Sequence, residues 1–176
     1  MTFPKAVDDE ARVEYLRSLG ILDTPSSPVL DCIVDMCRDI FQVRVANISL
    51  VDSDRQWFKV IRGLDVCETP RDLAFCNYTI LSTSVYEVPN ALLHPELRTN
   101  SLVTGEPYIR YYAGAPLIHH GVTLGALCLI DFEPRAPLTP RESHILTGMA
   151  SLVIREIEVQ RLLGESNDPD PLRAGP

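Results

Sequence analysis

Cys76 is the residue whose type and position most invite chemistry. It falls near the start of a short helix expected over about residues 73–81, and a helix N-terminus favours thiolate over thiol. Two readings stand: a thiol packed between Phe75 and Tyr78, or a redox nucleophile with Cys67 as its resolving partner across a turn-rich segment. Arg110 comes second. It lies on an otherwise apolar strand, on the Tyr112 face, so its guanidinium requires a carboxylate, a backbone carbonyl or an anionic ligand. Asp52-x-Asp54 could hold a divalent cation, but short acidic residues at a hairpin tip ordinarily make the turn. His119-His120 reads as a solvated turn pair, because a metal site needs further converging ligands. Asp131 and Glu133 read as surface turn residues. The glycines build neither a dinucleotide fingerprint nor a phosphate loop, and no Gly-x-Ser-x-Gly elbow, kinase signature or His-Glu-x-x-His motif occurs. With no catalytic motif, the chain reads as non-enzymatic.

These side chains need elements to position them. Val13, Leu16 and Leu19 recur at helical spacing over residues 7–20, with Gly20 as a stop. A second helix is expected over 28–41, where Leu30, Ile33, Val34, Cys37, Ile40 and Phe41 share a face. Residues 44–52 alternate as a strand, Ala46, Ile48 and Leu50 on one face and Val45, Asn47, Ser49 and Val51 on the other. The polar turn Ser53-Asp54-Arg55 leads to a second strand, Gln56 to Arg62, and so to a hairpin. A brief strand over 85–88 precedes a long loop, 89–108, with room for one helical turn, and loops of that length tend to be functional. Residues 109–118 and 123–130 make a second hairpin about His119 to Val122. The later strand is apolar on both faces and belongs at the sheet centre. Thr139, Pro140 and Glu142 form a capping box that starts the last helix, whose buried stripe runs through Ile145, Leu146, Met149, Leu152, Val153 and Ile157. The fold class is α+β with a mostly antiparallel sheet, since hairpins join the strong strands. One domain is expected over 8–163, with an N-terminal tail at 1–7 and a disordered C-terminal tail at 164–176.

Composition narrows the function classes. The 176 residues carry a formal charge of −8 with 45% hydrophobic and 23% charged residues, an ordinary globular balance. The acidic excess argues against nucleic acid and against docking on anionic lipid. No apolar run reaches the ~20 residues of a membrane span, and the N-terminus lacks the pattern of a signal peptide. The five cysteines include no C-x-x-C pair, which points to reduced thiols in a cytoplasmic protein rather than to disulfides or zinc.

Several blocks carry a resemblance. Leu19-Gly20-Ile21-Leu22-Asp23-Thr24-Pro25, Asp54-Arg55-Gln56-Trp57-Phe58-Lys59, Glu68-Thr69-Pro70-Arg71-Asp72, Phe75-Cys76, Arg110-Tyr111-Tyr112-Ala113-Gly114-Ala115-Pro116-Leu117 and Leu124-Gly125-Ala126-Leu127-Cys128-Leu129-Ile130-Asp131 resemble a GAF-domain subfamily. That subfamily is common in bacterial sensor kinases and diguanylate cyclases, and the likeness spans about residues 8–163. It implies a GAF-like central antiparallel sheet with the N- and C-terminal helices on one face and a lidded small-molecule pocket on the other. The 89–108 loop would form part of the lid. The chain departs from the subfamily at Asn77-Tyr78 and Asn90-Ala91, which implies a changed pocket polarity. Neither the cyclic-nucleotide-binding pattern of other GAF domains nor a bilin-attachment cysteine is present, and the cysteine context of the GAF-type methionine sulfoxide reductases is not matched.

The leading expectation is a regulatory module for signal transduction that senses a small molecule and relays its state through the terminal helices. Candidate ligand-binding residues are Trp57, Phe75, Cys76, Tyr78, Tyr86, Asn90, Arg110 and Tyr112. A homodimer through the terminal helices is the expected assembly. The sequence names no cofactor, no metal and no particular ligand. A dimerisation module with an empty pocket, or a thiol redox enzyme at Cys76 and Cys67, are the alternatives.

Overall fold

The computed structural model describes residues 4–166, with side chains to Leu163. Helix α1 spans Asp9–Ser18 and α2 spans Pro28–Phe41. Strands β1 (Val45–Val51), β2 (Arg55–Arg62) and β3 (Glu68–Pro70) follow, then a 3-10 turn at Arg71–Leu73 and the short helix α3 (Cys76–Thr79). Strand β4 (Tyr86–Val88) precedes two 3-10 turns, Ala91–Leu93 and Leu97–Thr99, and α4 (Ser101–Thr104). Strands β5 (Tyr111–His119) and β6 (Val122–Asp131) then lead into α5 (Pro140–Ser166).

Local signals explain most boundaries. Gly20 takes a left-handed φ of +63° just past α1, and Pro28 opens α2 behind Ser27, whose Oγ accepts from the Leu30 amide. At α5 the capping box forms as expected: Thr139 Oγ1 accepts from the Glu142 amide, and Glu142 Oε2 accepts from the Thr139 amide at 2.7 Å. The C-terminal tail expected from residue 164 instead begins inside α5, which continues through Ser166; residues 1–3 and 167–176 lie outside the described residues.

Six strands form one antiparallel sheet in the order β3-β2-β1-β6-β5-β4. Side chains alternate across it, so its two faces are built from opposite parities of the same strands. On one face Ala46, Ile48, Leu50, Leu127, Leu129 and Leu117 pack under α1, α2 and α5 as the main core. On the other, Val45, Val51, Ala126 and Tyr112 pack under α3 and the segments before β5.

Several expectations need correction. Ile40 is 47% exposed rather than buried on α2, and Leu152 is 53% exposed rather than part of the buried stripe of α5. The helix expected over 73–81 breaks into the 3-10 turn and α3, because Ala74 between them is extended and Asn77 Nδ2 donates to the Arg71 and Ala74 carbonyls. The 89–108 segment holds three short helical turns where one was expected. His119 is buried, bridging Tyr15 Oη (2.8 Å) on α1 and Glu158 Oε2 (3.1 Å) on α5. Asp131 is also buried and pairs with Arg135 at 2.7 Å, whereas Glu133 is exposed. Asp52 makes the hairpin turn as expected, accepting from the Ser53 amide at 2.8 Å, and is in addition buried beside Arg17.

A lidded cavity on the open face of the sheet

On the face away from α1, α2 and α5 lies a cavity of about 340 Å³, within the range of small-molecule sites. Its floor is set by register. β1 and β2 pair Asn47 with Ile61, Ser49 with Phe58 and Val51 with Gln56, while β6 sets Cys128 opposite Asn47. Paired residues share a face, so Asn47, Gln56, Phe58 and Ile61 all point into the cavity. Between Phe58 and Val60 a bulge inserts Lys59, which turns to the helix side and donates to Thr24 and Pro25 there. The walls come from Leu64 to Val66, from Ala74 to Cys76, and from Leu102, Glu106, Pro107 and Ile109. Thus only the end of the 89–108 loop lines the cavity.

The lining is mostly apolar, and its polar members are Asn47, Gln56, Asp65, Thr69 and Glu106. Asn47 is fully buried, and neither its Oδ1 nor its Nδ2 has a hydrogen-bond partner. Both amide atoms are orphaned, so the arrangement is the same whichever way the amide is turned. An unpaired buried amide of this kind costs about 1–3 kcal/mol. None of the described lining residues is basic, and Asp65 and Glu106 are exposed acids on the same site.

Of the eight candidate site residues, the structure brings Phe75, Cys76 and Tyr112 to the cavity. Trp57 is on the opposite face: it pairs with Leu50 and packs in the helix-side core, because register rather than residue type decides its face. Tyr78 and Tyr86 stack with centroids 5.5 Å apart on an outer shelf, where Tyr78 Oη donates to Glu96 at 2.6 Å and Tyr86 Oη lies 3.0 Å from His94 Nε2. Burial, followed by the Glu96 carboxylate, raises the Tyr78 hydroxyl above its ordinary value. Asn90 accepts from the Leu92 amide and caps the adjacent 3-10 turn. Arg110 donates to the Val103 and Ile109 carbonyls at 2.8 and 3.0 Å, so of its possible partners the backbone carbonyl is the one present. It braces the wall without lining it. Asn77 likewise stays outside, accepting from Arg71 Nε. Sequence reasoning missed Asn47, Gln56, Phe58 and Ile61. An asparagine in the middle of an apolar strand was the available signal, since strands are poor in Asn.

Beneath the wall, Cys76 meets a partner that spacing did not indicate. Its Sγ lies 3.2 Å from Cys128 Sγ, 3.0 Å from Ser49 Oγ and 3.3 Å from Tyr112 Oη. Cys67, by contrast, is exposed. Tyr112 reaches the sulfurs by lying over Gly114, where a Cβ would come within 2.8 Å of the Tyr112 Cζ and 2.6 Å of the Thr79 Oγ1. Burial alone raises a thiol, but hydrogen bonds from Cys128, Ser49 and Tyr112 outweigh it at Cys76 and hold that thiol below its ordinary value. Cys128 is pushed up by burial and by its neighbour.

A buried ion cluster ties the cavity wall to the N-terminal helix. Arg71, at the foot of the Ala74–Cys76 wall, is almost fully buried and grips both carboxylate oxygens of Asp9 on α1 at 2.7 and 2.8 Å. Arg12 holds the same carboxylate at 2.9 Å and the Val51 carbonyl at 2.7 Å. Among the described residues no group of three or more His, Cys, Asp or Glu is placed to hold a metal, and no helix is long and apolar enough to cross a membrane.

An antiparallel sheet with terminal helices on one face and a walled cavity on the other defines a class of α+β domain. The chain belongs to the GAF domain family, whose model matches residues 27–157. It is 42% identical over 172 residues to a cyclic di-GMP phosphodiesterase of Pseudomonas aeruginosa, covering 97% of this chain and 29% of that protein. The chain thus spans under a third of that relative's length. Two solved structures share the fold. The GAF domain of an Acinetobacter phosphoenolpyruvate-protein phosphotransferase superposes with a TM-score of 0.64 at 17% identity, covering 91% of this chain and 98% of that one. A free methionine-R-sulfoxide reductase of Neisseria meningitidis, in complex with its substrate, gives 0.63 at 18% identity, with 92% and 98% covered.

Proposed function

We propose that this chain is a non-catalytic sensory module whose cavity takes a small, uncharged, largely apolar molecule with one adjacent donor–acceptor edge of the lactam type. The observation that carries this is Asn47, a fully buried amide with both polar atoms unpaired on the floor of an apolar cavity. A lactam edge supplies one acceptor and one donor in a plane and would satisfy both Asn47 atoms at once. Anions fit poorly, because no basic side chain would replace their hydration and the exposed acids repel them. This ligand class also suits a regulatory portion of a larger signalling protein, the part we assign to this chain relative to its phosphodiesterase relative. Phosphodiesterase activity itself is not proposed for it.

Occupancy would order the walls at Leu64–Val66 and Leu102–Ile109, and the Arg71–Asp9 contact supplies a mechanical route from the wall to α1. A few kcal/mol of differential affinity is enough to shift how terminal helices pair between two copies of the chain. Native mass spectrometry of freshly purified chain tests occupancy directly, with a non-covalent excess mass as the expected result. Thermal shift with carbostyril, a bicyclic lactam, against N-methylcarbostyril tests the edge. The lactam should raise the Tm and the N-methyl form should not. Asn47→Leu should abolish that response while raising the ligand-free stability by about 1 kcal/mol, as an orphaned amide is removed. A lactam response that survives Asn47→Leu would sink the assignment.

A further inference from the structure

We propose that Cys76 and Cys128 form a reversible dithiol–disulfide site that is oxidised by small peroxides entering through the cavity. The two residues are 52 positions apart in sequence, on α3 and β6, and their sulfurs are 3.2 Å apart, so disulfide formation needs them to close by little more than an ångström. Neither sulfur is accessible from outside the fold: Cys76 is 1% exposed and Cys128 0%. Their positions nevertheless differ in one respect. Cys76 lines the cavity and Cys128 does not. A peroxide molecule is close to water in size, so the cavity that admits a ligand also admits the oxidant to Cys76 and leaves Cys128 behind it.

The surroundings suit this division of labour. Ser49 Oγ, Tyr112 Oη and the Cys128 thiol surround the Cys76 sulfur, and hydrogen bonds to a thiolate stabilise it where no cation is present. In the first step the Cys76 sulfur attacks one oxygen of hydrogen peroxide. The S–O bond forms as the O–O bond breaks, and the departing hydroxide takes the Cys76 proton to give water and a sulfenic acid. In the second, the Cys128 sulfur attacks the Cys76 sulfur. The S–S bond forms, the S–O bond breaks, and the leaving hydroxide takes the Cys128 proton as a second water. Two thiols are oxidised to one disulfide, and one peroxide is reduced to two waters. An external dithiol reverses the change by exchange.

The site is separate from Asn47 in chemistry but adjacent in space, since Cys128 is the cross-strand neighbour of Asn47. Tyr112, which hydrogen-bonds Cys76 Sγ, is itself part of the cavity lining. Closing the S–S bond draws α3 toward β6 and moves the Cys76 wall, so oxidation alters the same cavity that takes the ligand. The helix-side thiol Cys37 provides an internal contrast. It packs on Met149 and burial pushes its pKa up to about 12, so it stays a thiol under the same exposure.

The test uses the full chain carrying Cys32→Ser and Cys67→Ser, which removes the two exposed thiols. The folded protein is treated with hydrogen peroxide, unfolded in N-ethylmaleimide and mapped by mass spectrometry. The expected product is a linked Cys76–Cys128 peptide pair with Cys37 alkylated, restored to three alkylated thiols by dithiothreitol. Adding Cys128→Ser should divert the reaction to a dimedone-trapped sulfenic acid on Cys76, and adding Cys76→Ser should leave Cys128 alkylated. Alkylation of both Cys76 and Cys128 after peroxide, or a linkage through Cys37, overturns the proposal. Mapping the parent protein needs neither added substitution, so misfolding of one of those variants leaves the result decisive.

Discussion

The two faces of the sheet are built from the same strands yet obey different rules. On the helix side, Leu127 and Leu129 are fully enclosed, and the one buried cysteine there, Cys37, simply packs against Met149 at 3.3 Å. On the cavity side, residues one position away are an unpaired amide, a tyrosine hydroxyl and the Cys128 thiol, which faces Cys76 on α3. A close-packed core leaves polar atoms no room and tolerates no void. The cavity face keeps both. One parity carries the main core, and the other carries a second, smaller core that leaves room for the cavity. Burial by itself does not separate the two, because Asn47 is as buried as Leu127. What separates them is whether the buried group has its partners.

The largest expected effect strikes the contact that joins the two faces. Arg71→Met should cost about 3–5 kcal/mol, since it leaves Asp9 partly buried with only Arg12 for company. Burial acts to raise Asp9, but hydrogen bonds from Arg71 and then Arg12 overcome it and hold Asp9 at about 2, below its ordinary 3.8. A depressed carboxylate contributes stability above its unfolded pKa and loses it as the pH falls through its folded one. Urea midpoints should therefore drop for the parent protein between about pH 4 and pH 2. In Asp9→Asn that window should flatten; an unchanged slope would show the pair to be electrostatically idle.

A second measurement sharpens the comparison between faces. Leu127→Ala on the helix side should cost about 2–5 kcal/mol, because the hole it leaves is enclosed. Phe58→Ala removes a larger side chain but only widens a cavity that already exists, so its cost should stay under about 2 kcal/mol. Equal losses in chemical denaturation would mean that the cavity face is as structural as the core.

The division between faces also tracks what sequence could reveal. The helix-side face was legible because its signals are local: the alternation in β1, β5 and β6, the capping box at Thr139 and the helical stripes each lie within one element. The family resemblance supplied the sheet and the position of the terminal helices. The cavity was legible in outline and at Phe75, Cys76 and Tyr112, which sit in conspicuous aromatic blocks. Trp57 went to the wrong face because its side depends on pairing with Leu50 across a hairpin, and pairing register is not a periodicity. Asn47 gains meaning only when Ile61 and Cys128 are known to flank it. The Cys76–Cys128 contact, the His119 bridge and the Arg71–Asp9 pair are all long-range, and each joins elements that no window of sequence contains. A polar residue acquires its role from what the fold sets opposite it, which is why recognition residues are harder to read than core residues.

The smallest expected effect on stability concerns the outer surface of α5. Leu152, Val159 and Leu163 are 53%, 48% and 61% exposed and recur at spacings that form one stripe beside the buried one. Exposed side chains outside a core change the stability of the folded chain by about 0.5 kcal/mol or less when replaced. Leu152→Ser with Val159→Ser should accordingly leave the denaturation midpoint of dilute protein unchanged. The same pair should weaken association in sedimentation equilibrium if a second copy covers the stripe, as proposed for relay through the terminal helices. Stability and association are thus expected to part company on this surface. Were the double variant to lose stability without any change in association, α5 would act on its own sheet alone, and a ligand signal would have to leave the cavity through Arg71 and α1.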